Sequence, residues 1–225
     1  MKTITTTTLG IVLLTLLMGQ SAVLDTSRRH APNKYVEAVR LWKPMMPEKM
    51  IAKVKEAIKE PLILPDGWPS EPSSSGYRIV GEYITLRGLK LARAGHPELA
   101  EPLLELAILY SRRLISARPH TVPMFMAGHL LFDMTLRDAG VVAYYAGDLE
   151  LTQRIWNDAN KAERAFDESV FPIVREAALS AKAAAIARAL ATWEKEVDPL
   201  PLEHPLSPYG LSKLGCSKEG TKEAN

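Results

Sequence analysis

"ITLRGLKLARAGHPELAEPLLELA" (Ile84–Ala107) and "LRDAGVVAYYAGDLELTQRIWNDA" (Leu136–Ala159) decide the fold when set side by side. Gly88 falls on Gly140 and Gly95 on Gly147, while Glu98 matches Glu150 and Leu99 matches Leu151. Further on, Leu104 matches Trp156 and Ala107 matches Ala159. Each stretch carries a glycine inside a helical pattern and a second glycine seven residues later, where the helix should end. A terminal glycine takes the left-handed conformation at little steric cost. A mid-helix glycine costs about 1 kcal/mol relative to alanine, so it is worth keeping only where another helix comes close. The large residue and the late alanine fit the same picture: one fills the space between helices, the other admits a neighbour. The two stretches therefore predict two helical hairpins with glycine elbows.

Working outward, apolar residues recur with a 3.6-residue period along most of the chain, and alternating strand patterns bounded by turn signals are scarce. Asn33 is placed to cap a first helix, "KYVEAVRLWK", and Pro47 opens a second whose stripe is Met50, Ile51, Val54 and Ile58. "PLILPDGWPSEPSSSG" (Pro61 to Gly76) reads as a loop or linker lying against the helical body. Long helices are expected over Tyr77 to Ala94, Pro97 to Ala117, Pro123 to Ala146, Asp148 to Phe166 and Ser169 to Val197. From Asp198 onward the prolines and small polar residues predict an extended or disordered tail. The expected fold class is all-α, built of antiparallel helical hairpins.

The first 22 residues, "MKTITTTTLGIVLLTLLMGQSA", have the layout of a secretory signal peptide: Lys2, an apolar run from Leu9 to Met18, then small residues. That run is about ten residues, against the roughly 20 needed to span a bilayer. The expected division is thus a signal peptide over 1–22, N-terminal helices and linker over 23–76, a helical domain over 77–197 and a tail over 198–225. An exported, secreted or periplasmic protein follows, with no transmembrane span once the leader is cut. Cys216 is the only cysteine, so the core must hold by packing without an internal disulfide. A formal charge of +2 gives no reason to expect nucleic acid as a partner.

HExxH, CxxC, Walker-loop, GxGxxG, GxSxG and CxxCH signatures are all missing, so no catalytic residue and no cofactor is assigned. "HTVPMFMAGHLLFDM" brings His120, Met124, Met126 and His129 close together, and thioether with imidazole suits Cu(I). Methionine at helical spacing also fills core gaps, and that reading is preferred.

The hairpin pattern resembles the tetratricopeptide repeat, a two-helix unit with glycine at its eighth position and a turn near its fifteenth. Gly88, Gly95, Ala100, Leu104 and Ala107 match one unit; Gly140, Gly147, Trp156 and Ala159 match another. This chain departs from the pattern in three ways. The units lie 52 residues apart, Thr152 stands where a smaller alanine is expected, and Pro102 should kink its helix. A tetratricopeptide-like superhelix and a plain helical bundle both remain open. What the resemblance implies is a groove lined by the first helix of each hairpin, at Thr85, Leu89, Arg93, Arg137, Val141, Tyr144 and Tyr145. Its arginines would suit an acidic peptide or a free C-terminal carboxylate. The expected function is protein–protein interaction, as an adaptor or assembly factor in the bacterial envelope. The alternative is a periplasmic small-molecule or Cu(I) carrier using a pocket between helices.

Overall fold

Asn33 opens the first helix, α1 (Lys34–Trp42), by accepting the Tyr35 N–H at 2.9 Å. The computed structural model describes residues 33–42, 46–64, 72–180 and 183–214, which belong to one structural unit. The segment expected to be a leader and Cys216 lie outside the described residues. In α2 (Pro47–Ala57) the proline sits in the first turn, and Met50, Ile51 and Val54 are buried. Residues 58–64 then run back along the helical body. Tyr35 Oη donates to Glu60 O and Arg113 Nε to Ile58 O, while Leu62 and Leu64 are buried.

Four longer helices follow: α3 (Ser74–Arg93), α4 (Pro97–Ile115), α5 (Val122–Tyr145) and α6 (Leu149–Ala165). Side-chain caps start three of them, as Ser73, Thr121 and Asp148 accept the N–H of Gly76, Met124 and Leu151. Ser73 sets α3 three residues earlier than the apolar periodicity predicts, so the serine run belongs partly to the helix. Pro102 lies inside α4, which continues through it to Ile115.

Both elbows take the expected form. Gly95 has φ of 91° and Gly147 of 83°. Gly95 N–H bonds Ala92 O and His96 N–H bonds Leu91 O; Gly147 N–H bonds Tyr144 O and Asp148 N–H bonds Ala143 O. The paired backward bonds satisfy carbonyls that the helix end would otherwise leave open. Across each hairpin the mid-helix glycine faces the large residue sixteen positions later. An added Cβ at Gly88 would meet Leu104, and one at Gly140 would meet Trp156. Helix α5 packs on both α3 and α4, and α6 packs on α5.

Past α6 the sequence expectation is corrected. A π turn (Phe166–Val170) leads without a break into α7 (Phe171–Ser180), and α8 (Ala183–Glu196) folds back on α7. Pro172 cannot donate to a carbonyl four residues back, and the widened turn sits immediately before it. The single helix expected over Ser169 to Val197 is therefore two. Glu176 and Arg188 pair at 3.2 Å, whereas a straight helix would hold them about 18 Å apart. Neither glycine nor proline marks that fold-back. It buries Val174, Ala177, Ala185, Ile186 and Ala189 in one core, so tertiary packing overrides the alanine-rich helical preference.

The architecture is all-α, with no strand among the described residues and one isolated bridge between Ile63 and Arg118. None of the described helices is long and apolar enough to cross a membrane. Helix α5 enters two apolar cores. Met124 and Leu131 join the one built from α1 to α4; Phe125, Phe132 and Leu136 join the one that takes Ala92, Leu104 and Ile108 from α3 and α4 and continues through α6 to α8.

Candidate functional site

Of the seven residues expected to line a groove, four share the outward face of α5. Arg137 and Val141 are half-buried, while Tyr144 and Tyr145 are 55% and 43% exposed. The two tyrosine rings meet edge-on, with centroids 6.1 Å apart. Arg93 is exposed at the end of α3.

Thr85 is a correction. It is fully buried, its hydroxyl donating to Gly81 O and lying 3.0 Å from Thr135 Oγ1 of α5. Leu89 is half-buried against the core. Helix α5 rests on this face of α3, so Thr85 is covered and lines no groove. Periodicity places Thr85 on a helix face but does not tell which neighbour covers that face.

Around Arg137 the sequence expectation changes again. Its Nε bonds both Asp133 carboxylate oxygens at 3.0–3.1 Å. One terminal nitrogen donates to Asn160 Oδ1 and the other to Glu163 Oε2, each at 2.9 Å. The guanidinium thus ties α5 to α6 and already holds two carboxylates, which removes the reason to expect an acidic partner there. Trp156 Nε1 donates to Arg137 O at 3.1 Å, laying the indole over Gly140. Arg137, Val141, Trp156 and Asn160 line an open hollow of about 320 Å³. Its rim is acidic. Burial pushes the Asp133 carboxyl up against the pull of Arg137, and burial together with the charges of Glu163 and Glu168 pushes Asp167 up.

A second, wider hollow of about 770 Å³ lies between the start of α6 and residues 209–214, with Arg154, Asn157, Tyr209 and Lys213 on its walls. Arg154 donates to Pro208 O at 2.9 Å and sits 5.5 Å from the Tyr209 ring centroid, and Tyr209 Oη lies 3.3 Å from Asp158. These contacts fasten the C-terminal segment to α6 and explain the polar walls.

The methionine and histidine cluster does not converge. Met124 is buried in one core and Met126 packs against the other. His129 is stacked on Phe166 with ring centroids 3.5 Å apart, and its Nδ1 accepts the Trp193 Nε1 proton at 3.3 Å. Burial lowers its pKa to about 3, so the ring is neutral at physiological pH. Among the described residues, no group of three or more His, Cys, Asp or Glu side chains could hold a metal ion.

Comparison with protein-family models, with curated proteins and with solved structures returns no match for this chain. Sequence reasoning missed Gly128, a glycine in the middle of α5. A Cβ there would lie 2.7 Å from both Ile115 N and Ser111 O, which makes it the point where α5 meets the backbone of α4. It missed Arg112 as well. That side chain makes two bonds to Asp198, at 2.6 and 2.8 Å, and three to the carbonyls of Leu200, Pro201 and Leu202.

Proposed function

We propose that this is an exported, tetratricopeptide-like helical protein whose work is to bind another protein, as an adaptor or assembly factor of the envelope. One observation carries the reading. Two hairpins repeat the same elbow and the same glycine-to-large-residue contact, and the second leaves aromatic residues on an open face. A neighbouring helix normally covers such residues; tyrosine and tryptophan exposed together are types that carry binding energy at interfaces. The apolar leader at the N-terminus supports export to a secreted or periplasmic location.

The test uses the tagged chain expressed in its own host. A protein should co-purify with the wild type, and Tyr144→Ala should lose it while keeping the same circular dichroism and melting temperature. The reading fails if the wild type co-purifies with no protein, or if the folded variant retains the partner at wild-type affinity. N-terminal sequencing of the envelope protein tests export: a start near Ser21 to Val23 is expected. Intact Met1 in a membrane fraction would make the segment an anchor.

A further inference from the structure

The first hairpin shows what belongs on the open face of the second. Helix α5 covers α3 and α4 at identifiable points. Leu131 sits against Gly81, Thr135 lies beside Thr85, and Gly128 reaches Ser111 and Ile115. Moving 52 residues along the chain, Gly81 becomes Asp133, Thr85 becomes Arg137, and Ala92 becomes Tyr144. On the second helix Leu104 becomes Trp156, Ser111 becomes Glu163 and Ile115 becomes Asp167. In the first hairpin all six are buried, Leu104 completely and Ala92 to 2% exposure. Their counterparts are half-buried or exposed, with Trp156 at 37% and Tyr144 at 55%.

We propose that the face formed by Asp133, Arg137, Val141, Tyr144, Trp156 and Glu163 receives a basic amphipathic helix from a partner protein. The helix lies on α5 and α6 as α5 lies on α3 and α4. This rests on the binding reading above and names its partner class. The geometry supplies the register. Val141, Tyr144 and Trp156 meet the apolar side of the incoming helix. Its residue at the Leu131 place stands over Asp133, and its residue at the Gly128 place stands over Glu163 and Asp167. Arg137 neutralises only part of that charge, since it already serves both Asp133 and Glu163. Lysine or arginine at those two places completes the pairing. A second copy of this chain is the poorer occupant, because two such faces would bring like charges together.

The probe is a labelled 24-residue peptide copying Val122–Tyr145, with Gly128→Lys and Leu131→Lys, titrated with the folded chain and followed by fluorescence anisotropy. Saturable binding is expected. It should weaken by about tenfold or more with glutamate at the same two peptide positions, and by a similar factor in a D133N/E163Q protein. Y144A, which changes an exposed side chain, should weaken it too while leaving circular dichroism unchanged. Absence of binding, equal binding of both peptides, or indifference to all the variants overturns the proposal. So does a homodimer on sedimentation that Y144A dissolves. If cross-links to a co-purified protein map to another surface, this inference falls and the binding reading stands. If no protein co-purifies and no peptide binds, both fall.

Discussion

Gly128 and Gly88 both sit in the middle of helices, but their neighbours differ in kind. At Gly128 an added Cβ would meet Ile115 Cγ1 at 2.6 Å and two α4 backbone atoms at 2.7 Å, which cannot swing aside; at Gly88 the nearest atoms are Leu104 Cδ2 at 3.3 Å and Ala100 O at 3.4 Å. Gly128→Ala should therefore destabilise the protein by about 1–3 kcal/mol through overpacking. Gly88→Ala should change stability by less than about 0.5 kcal/mol, because a helix-propensity gain near 1 kcal/mol offsets the crowding. Urea unfolding of both variants checks the contrast, and equal effects would contradict it. His129 provides a second test at this scale. Its folded-state pKa of about 3 lies below the usual histidine value of 6.5, so protons bind the unfolded chain first. The stability that comes from keeping the ring neutral is complete above pH 6.5 and is lost as pH falls toward 3. Asp138, raised to about 6 by burial, acts with the opposite sign, so the wild-type curve alone is ambiguous. The difference between wild type and His129→Gln isolates the histidine. The advantage of the wild type should shrink by about 1 kcal/mol per pH unit between pH 6 and 4. A pH-independent difference would mean that the buried ring does not titrate as described.

Several element boundaries were legible in a local side chain, although the Ser73 cap of α3 was not read. Asn33, Pro47, Gly95, Gly147 and Asp148 each start or end a helix through their own chemistry, and each boundary is read from the residue itself. The fold-back between α7 and α8 was not legible, because it depends on which core Val174 and Ile186 share. The C-terminal segment is the other case. Its prolines predict an extended chain, and they carry no sign that Leu206 and Leu211 are fully buried or that Arg112 holds the segment. The Arg112 and Asp198 side chains are only 12% and 7% exposed, so removing one leaves the other charge uncompensated. Arg112→Leu should destabilise by about 3 kcal/mol. It should also raise hydrogen exchange across residues 198–214 before the rest of the chain unfolds. Unchanged exchange in that segment would show that the apolar anchors hold it without the arginine.

For the whole molecule, the repeated hairpin was legible because the two copies keep the same glycines, whereas the site was legible only in part. Four of the seven expected groove residues share the face of α5. Thr85 left the set because burial depends on the neighbouring helix, and Trp156 fills the space over Gly140 as read while its other side stays open to solvent. The arginine that suggested an acidic partner is satisfied within the chain, and the carboxylates beside it turn the expectation toward a basic one. The most direct measurement is photo-crosslinking in the host cell, with the crosslinker placed in turn at Tyr144, at Leu86 on α3 and at Leu179 on α7, all three exposed. The account predicts a discrete protein adduct from position 144 and none from the other two. Adducts from 86 or 179 with none from 144 would contradict it.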